Sequence, residues 1–216
     1  MKWNLCALVL AAIAFGLWTV PATTAPKPAE APTSWELDFT YQKPTPIMVR
    51  VPGEDTTRRF WFLRYKVVNR TGEDVGFTPE FVLYTDTGEL LKAGRNVPSV
   101  VFDKIKKVYN DPLLRTQTGM IGKLLQGADN AKRGVAIFPD FDPNAGYFDL
   151  MISGLSGEST IVDLPVPIKA TIGGQEVMKK QILLSKTLRL RYDVSGSAGN
   201  RTADSIKLDS KKWVMR

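Results

Sequence analysis

The 216-residue chain has no histidine, and its one cysteine is Cys6. Without imidazole there is no Ser-His-Asp triad and no histidine acid or base; a single thiol allows no internal disulfide and no zinc site of Cys and His. Any catalysis would fall to carboxylates, Lys, Tyr or Ser. Long apolar runs are scarce too: the one that stands out, from Leu5 to Val20, sits at the N-terminus.

Lys2, that apolar run and Val20-Pro21-Ala22 together have the layout of a secretory signal: a basic start, a short hydrophobic stretch and small residues two apart. We therefore expect residues 1–22 to be a signal peptide, removed on export together with Cys6, and the mature chain to be secreted or periplasmic. The competing reading is an uncleaved anchor, for which the run falls short of the roughly 20 residues of a spanning helix. Membrane contact is expected only through such an uncleaved signal. A mature chain of about 190 residues with neither thiol nor imidazole must be held by core burial, and that length suffices for one core.

The formal net charge of +7 is a modest basic excess, which serves solubility as readily as it serves an acidic partner. Lys104, Lys106 and Lys107 form the candidate basic surface, with further basic pairs at Lys132-Arg133 and Lys211-Lys212. No aromatics interleave with them in the manner that stacks bases, so nucleic acid is not an expected partner.

Residues 23–33 are rich in Pro and Ala without hydrophobic periodicity and read as an extended linker. The folded part, residues 34–216, reads as one domain. Trp35 to Tyr41 alternates apolar and polar residues, the signature of a half-buried strand. Phe60 to Val68 is almost continuously aromatic and β-branched, which suits a central strand covered on both sides. Asp86-Thr87-Gly88 predicts a tight turn, and Gly173-Gly174 a hairpin whose two turn residues take positive φ. In the stretch 182–192, Leu188, Leu190 and Tyr192 are expected on one strand face and Arg189 and Arg191 on the other. The period changes once: Val101, Ile105 and Val108 recur at helical spacing, predicting an amphipathic helix over 99–109 capped by Ser99, with Asn110-Asp111-Pro112 starting a second. Many short strands with Gly-, Pro- and Asp-rich turns and one helical insertion, about 89–133, predict an all-β antiparallel sandwich. The insertion is the place to look for binding residues, or else its helix caps an open end.

Tyr65-Lys66-Val67-Val68-Asn69-Arg70-Thr71-Gly72 and Ile152-Ser153-Gly154-Leu155-Ser156, a strand with an Asn and Thr-Gly turn and later a strand with Gly-Leu, resemble the immunoglobulin-like β-sandwiches of exported bacterial proteins. The resemblance implies an immunoglobulin-like fold in a module that binds or supports, and it brings no catalytic residues. The inter-sheet cysteines of antibody domains are absent.

Asp140, Asp142 and Asn144 place oxygen donors at alternate positions, as a calcium loop does, and Asp149 is the nearest residue able to complete the shell. Ala145 and Met151 stand where such a loop carries Gly and Glu, so a polar turn competes with the metal reading. The same carboxylates with Glu80 are the pool for glycosidic acid-base chemistry, and Trp35, Trp61 and Trp213 for sugar stacking. Asn69-Arg70-Thr71 and Asn200-Arg201-Thr202 are glycosylation sequons. The expectation is thus a non-catalytic binding or structural protein of the periplasm or envelope, its partner an undetermined protein or envelope polymer. A carbohydrate-binding or carbohydrate-active module, calcium-assisted, is the alternative; no other cofactor is expected.

Overall fold

The computed structural model describes residues 25–216, so the signal-like segment and Cys6 lie outside the described residues. In chain order the elements are β1 (Asp38–Tyr41), β2 (Thr45–Arg50), β3 (Thr57–Asn69), β4 (Val75–Phe77), β5 (Glu80–Thr85), β6 (Leu90–Lys92) and α1 (Ser99–Val108). There follow β7 (Leu114–Arg115), α2 (Gln117–Met120), β8 (Gly122–Leu124), β9 (Gly127–Pro139), β10 (Tyr147–Ser153), β11 (Ser159–Ile172), β12 (Gln175–Val194), two short 3₁₀ turns and β13 (Ile206–Met215).

The fold is mostly β, as expected. One sheet has β1 and β2 side by side on β3, then β9 and β7; a second runs β11, β12, β10, β5, β6, with β13 also on β12; β4 and β8 pair by themselves. The purely antiparallel expectation needs correction, because β7 runs parallel to β9, reached from it only after the helical segment has crossed over.

β3 shows why its sequence is apolar throughout. Trp61, Leu63, Tyr65 and Val67 enter a core shared with Phe81, Leu83, Phe148, Leu150, Leu188 and Leu190 of the second sheet. Phe60 and Phe62 point the other way, into a smaller core with Val101 and Ile105 of α1 and Val135 and Ile137 of β9. The helix therefore lies on the outer face of the first sheet and does not cap an open end. Residues 89–133 also give β6 to one sheet, β7 to the other and β8 to β4.

The helix starts one residue earlier than its sequence suggests. Ser99 is its first residue; Pro98 occupies the N-cap and offers no side-chain hydrogen bond. Val108 is 62% exposed, because Tyr109 takes the space beside Phe62, their ring centroids 5.8 Å apart. Pro112 starts no helix: Asp111 accepts the Leu113 N–H at 3.1 Å in a turn, and the chain then pairs with β9 at Leu114. The second helix begins after Thr116, whose hydroxyl accepts the Gly119 N–H. At Gly173 and Gly174 both φ angles are positive, 58° and 83°, as the hairpin turn requires.

Gly134 of β9 marks a close approach in the larger core. A Cβ there would lie 2.5 Å from Cζ of Tyr65 and 2.9 Å from Cγ of Met120, both buried. Neither ring nor thioether has room to yield, so Gly134→Ala should destabilise by roughly 1–3 kcal/mol by overpacking, measured by urea unfolding. Tyr65→Phe, which removes a buried hydroxyl with no partner among the described residues, should be neutral or stabilise by up to about 1 kcal/mol.

Candidate functional site

β12 is twenty residues long, and only its second half belongs to the body. Lys186 to Val194 is flanked by β13 and, over Leu188 to Asp193, by β10. Gln175 to Ser185 has β11 as its strand partner, so the two strands leave the body as a ribbon about 35 Å long at the strand rise of about 3.3 Å per residue. Strand-forming residues Ile161, Val162, Ile168, Val177, Ile182 and Leu183 build it.

Midway, Asp163 pairs with Gln181 and Ile168 with Lys179, leaving Leu164-Pro165-Val166-Pro167 bulged opposite Lys180 alone. Proline cannot donate to a ladder, so the bulge falls where Pro165 and Pro167 would have broken pairing anyway. The ribbon leaves large apolar side chains in solvent: Val166 is 71% exposed, Ile161 and Leu183 64%, Met178 59% and Ile168 47%. A two-stranded ribbon alone is marginal in water, and apolar exposure concentrated on one protrusion is the mark of an interaction surface.

The root of the ribbon is held by charge. Lys186 is buried, and its Nζ lies 3.1 Å from both Glu36 and Glu158 and 5.2 Å from the Trp213 ring. Burial pulls the ammonium pKa down, but the two carboxylates outweigh it and hold it above the ordinary lysine value. Glu158 also accepts the backbone N–H of Ala29 at 2.8 Å, tying the Pro/Ala-rich segment to the residue before β11.

The loop read as a calcium site already contains a cation. Buried Arg201 donates to the carbonyls of Asp142 at 3.0 Å, Pro143 at 2.6 Å and Ala145 at 3.0 Å, and its guanidinium lies 5.2 Å from the Phe141 ring centroid. Arg59 lies 3.7 Å from Asp140 and donates to the carbonyls of Ala198 and Gly199, so two arginines join this loop to the segment after β12. Asp140 accepts the Trp61 indole N–H at 2.7 Å. Asp142 accepts the Asn144 N–H at 2.8 Å; hydrogen bonds from Thr87 and Asn144 lower its pKa.

Asp149 is elsewhere, on the outer face of the second sheet. Arg191 grips it at 2.9 and 2.8 Å, and Arg189 lies 3.6 Å away. Burial would raise this carboxyl, but the Arg191 fork, with Arg189 and Lys212, holds it below the usual range. Glu80 pairs with Lys92 at 2.8 Å. The four predicted oxygen ligands are thus divided between two places, and among the described residues no group of three or more acidic, His or Cys side chains gathers as a metal site would need.

The remaining candidates are dispersed. Lys104 donates to the Met48 carbonyl, Lys106 is half-buried and Lys107 exposed. Trp61 is in the core, with Trp35 and Trp213 packed against it. Asn69 is fully buried, its amide donating to the carbonyls of Glu73 and Leu124 and accepting from Thr71, so that sequon is a structural turn in the folded chain. Beside the start of α1, Val97, Phe102, Ile121, Val135 and Ile137 line an open cleft of about 340 Å³. No described helix is long and apolar enough to cross a membrane.

Comparison with known proteins found no relative: no family model matches the chain, no curated protein matches it, and no solved structure matches it.

What sequence reasoning missed is the ribbon and the role of Arg201. The Gly173-Gly174 turn signalled a hairpin but not that it projects, and a lone Arg inside a sequon gives no hint of burial. Arg201→Ala should cost roughly 2–4 kcal/mol, since three carbonyls lose a charged donor, and Arg201→Lys should restore little, because an ammonium lacks the planar fork. Calcium or a chelator should leave the wild-type thermal midpoint unchanged. A depressed carboxyl stabilises above its unfolded pKa near 4 and loses that contribution as pH falls through its folded value. The stability gap between wild type and Asp149→Asn should therefore be wide at pH 7, begin to shrink near pH 4 and close as pH falls through the depressed folded value in urea titrations.

Proposed function

We propose that this chain is an exported, non-catalytic binding or structural protein of the periplasm or cell envelope, built on an immunoglobulin-like sandwich and docking through the β11–β12 ribbon. One observation carries the reading: a paired ribbon that leaves the body and holds five large apolar side chains, Ile161, Val166, Ile168, Met178 and Leu183, in solvent. Burying each fully would be worth about 1.5–3 kcal/mol, so a partner that covers them gains in proportion to the area it removes from water.

Three further observations support it. The N-terminal segment has the layout of a secretory signal, and the chain lacks histidine entirely, which narrows the chemistry it can perform and leaves surface contact as the economical mode of action. The charged groups considered for catalysis are spent on internal partners: Asp140 on Trp61, Asp149 on Arg191, Glu80 on Lys92.

The test is retention on a washed envelope fraction, comparing wild type with a Val166→Asn, Met178→Asn pair placed where the side chains contact water. Wild-type chain should be retained at least ten-fold more than the variant, whose thermal midpoint should be unchanged; equal retention would overturn the reading.

A further inference from the structure

The two faces of the ribbon differ. On β12 the odd-numbered residues from Gln175 to Leu183, with their partners on β11, form one face: Leu183 opposite Ile161, Gln181 opposite Asp163, Lys179 opposite Ile168, Val177 opposite Ala170. Near the root the other face is partly covered, with Thr160, Val162, Ile182 and Leu184 all half-buried, whereas Ile161, Asp163, Gln181 and Leu183 are exposed. The open face carries one acid, Asp163, toward the root and one base, Lys179, toward the tip. Among the described residues Asp163 is engaged only by the Gln181 amide at 2.8 Å, and no described acid pairs with Lys179.

A twofold axis crossing this face between the Gln181 and Lys179 rows superimposes unlike on unlike. It sets Leu183 of one copy over Val177 of the other and Ile161 over Ala170, and brings Asp163, which lies over Ile168, diagonally beside Lys179 in both directions. Such a face complements itself without any change of shape, which is the condition for a symmetric dimer. A ribbon about 35 Å long and about 10 Å wide, covered on two copies, removes roughly 700 Å² from solvent, the extent of a weak, reversible contact. The bodies then lie at opposite ends of the paired ribbons.

We propose that the partner of the ribbon is a second copy of this chain, the open faces packed antiparallel about a twofold axis. This rests on the docking role argued above and names its partner.

Sedimentation equilibrium of the purified full chain tests it. A dimer with micromolar dissociation is expected, weakened at least ten-fold by Lys179→Glu and restored by adding Asp163→Lys, since the exchange rebuilds both ion pairs with reversed sign. Ile161→Asn with Leu183→Asn should be monomeric at concentrations where the wild type is dimeric, with the thermal midpoint of the body showing that it folds. A wild type that stays monomeric to a hundred micromolar overturns the proposal, as does a dimer unmoved by these variants. If the chain is monomeric yet the Val166→Asn, Met178→Asn pair still loses the envelope, the docking role stands and the partner is another molecule; if neither measurement responds to the ribbon, both fall.

Discussion

Everything described depends on the continuity of β12. In its second half, even-numbered Leu188, Leu190 and Tyr192 enter the core and odd-numbered Arg189 and Arg191 face out. The same alternation runs unbroken past Lys186 into the ribbon, because strand periodicity cannot change without a bulge. The face that is solvent-directed in the body is therefore the face that is open in the ribbon. Lys186 stands at the changeover on the core side, where the hydrophobic interior gives way and a buried ammonium needs its two carboxylates.

The charge arrangements share one logic. Arg201, Arg59, Arg191 and Lys186 each fix a segment that has too little apolar surface to fix itself: the 140–146 loop, the 198–199 turn, the outer face at Asp149 and the root of the ribbon. In a chain whose single cysteine allows no internal disulfide, these cationic clasps take over part of the stapling. Their energies come from desolvated geometry and not from number, as the exposed pairs such as Lys169 with Glu176 contribute little.

Much of the body was legible before its structure. Alternation at 35–41, the two-sided hydrophobicity of 60–68, the split of Leu188 and Leu190 from Arg189 and Arg191, and the turns at Gly88 and Gly173-Gly174 all follow from local chemistry that tertiary packing leaves alone. The parallel β7 was not legible, since two residues pairing across a helical crossover leave no periodic trace. The 140–146 loop is ambiguous in sequence for a related reason: alternating Asp and Asn suits a cation, and that an arginine 56 residues from Ala145 donates to its carbonyls is a matter of tertiary structure. The ribbon escaped because a strand reads the same whether or not the sheet beneath it continues.

The proline bulge has a further consequence. An unpaired strand edge is a template on which copies can add without limit. By removing two amide donors and kinking the outer edge at Leu164-Pro165-Val166-Pro167, the chain denies that edge a continuous ladder. The apolar surface stays available for a closed encounter while growth into filaments is cut off at the first step, so adhesiveness and solubility are kept in one short segment.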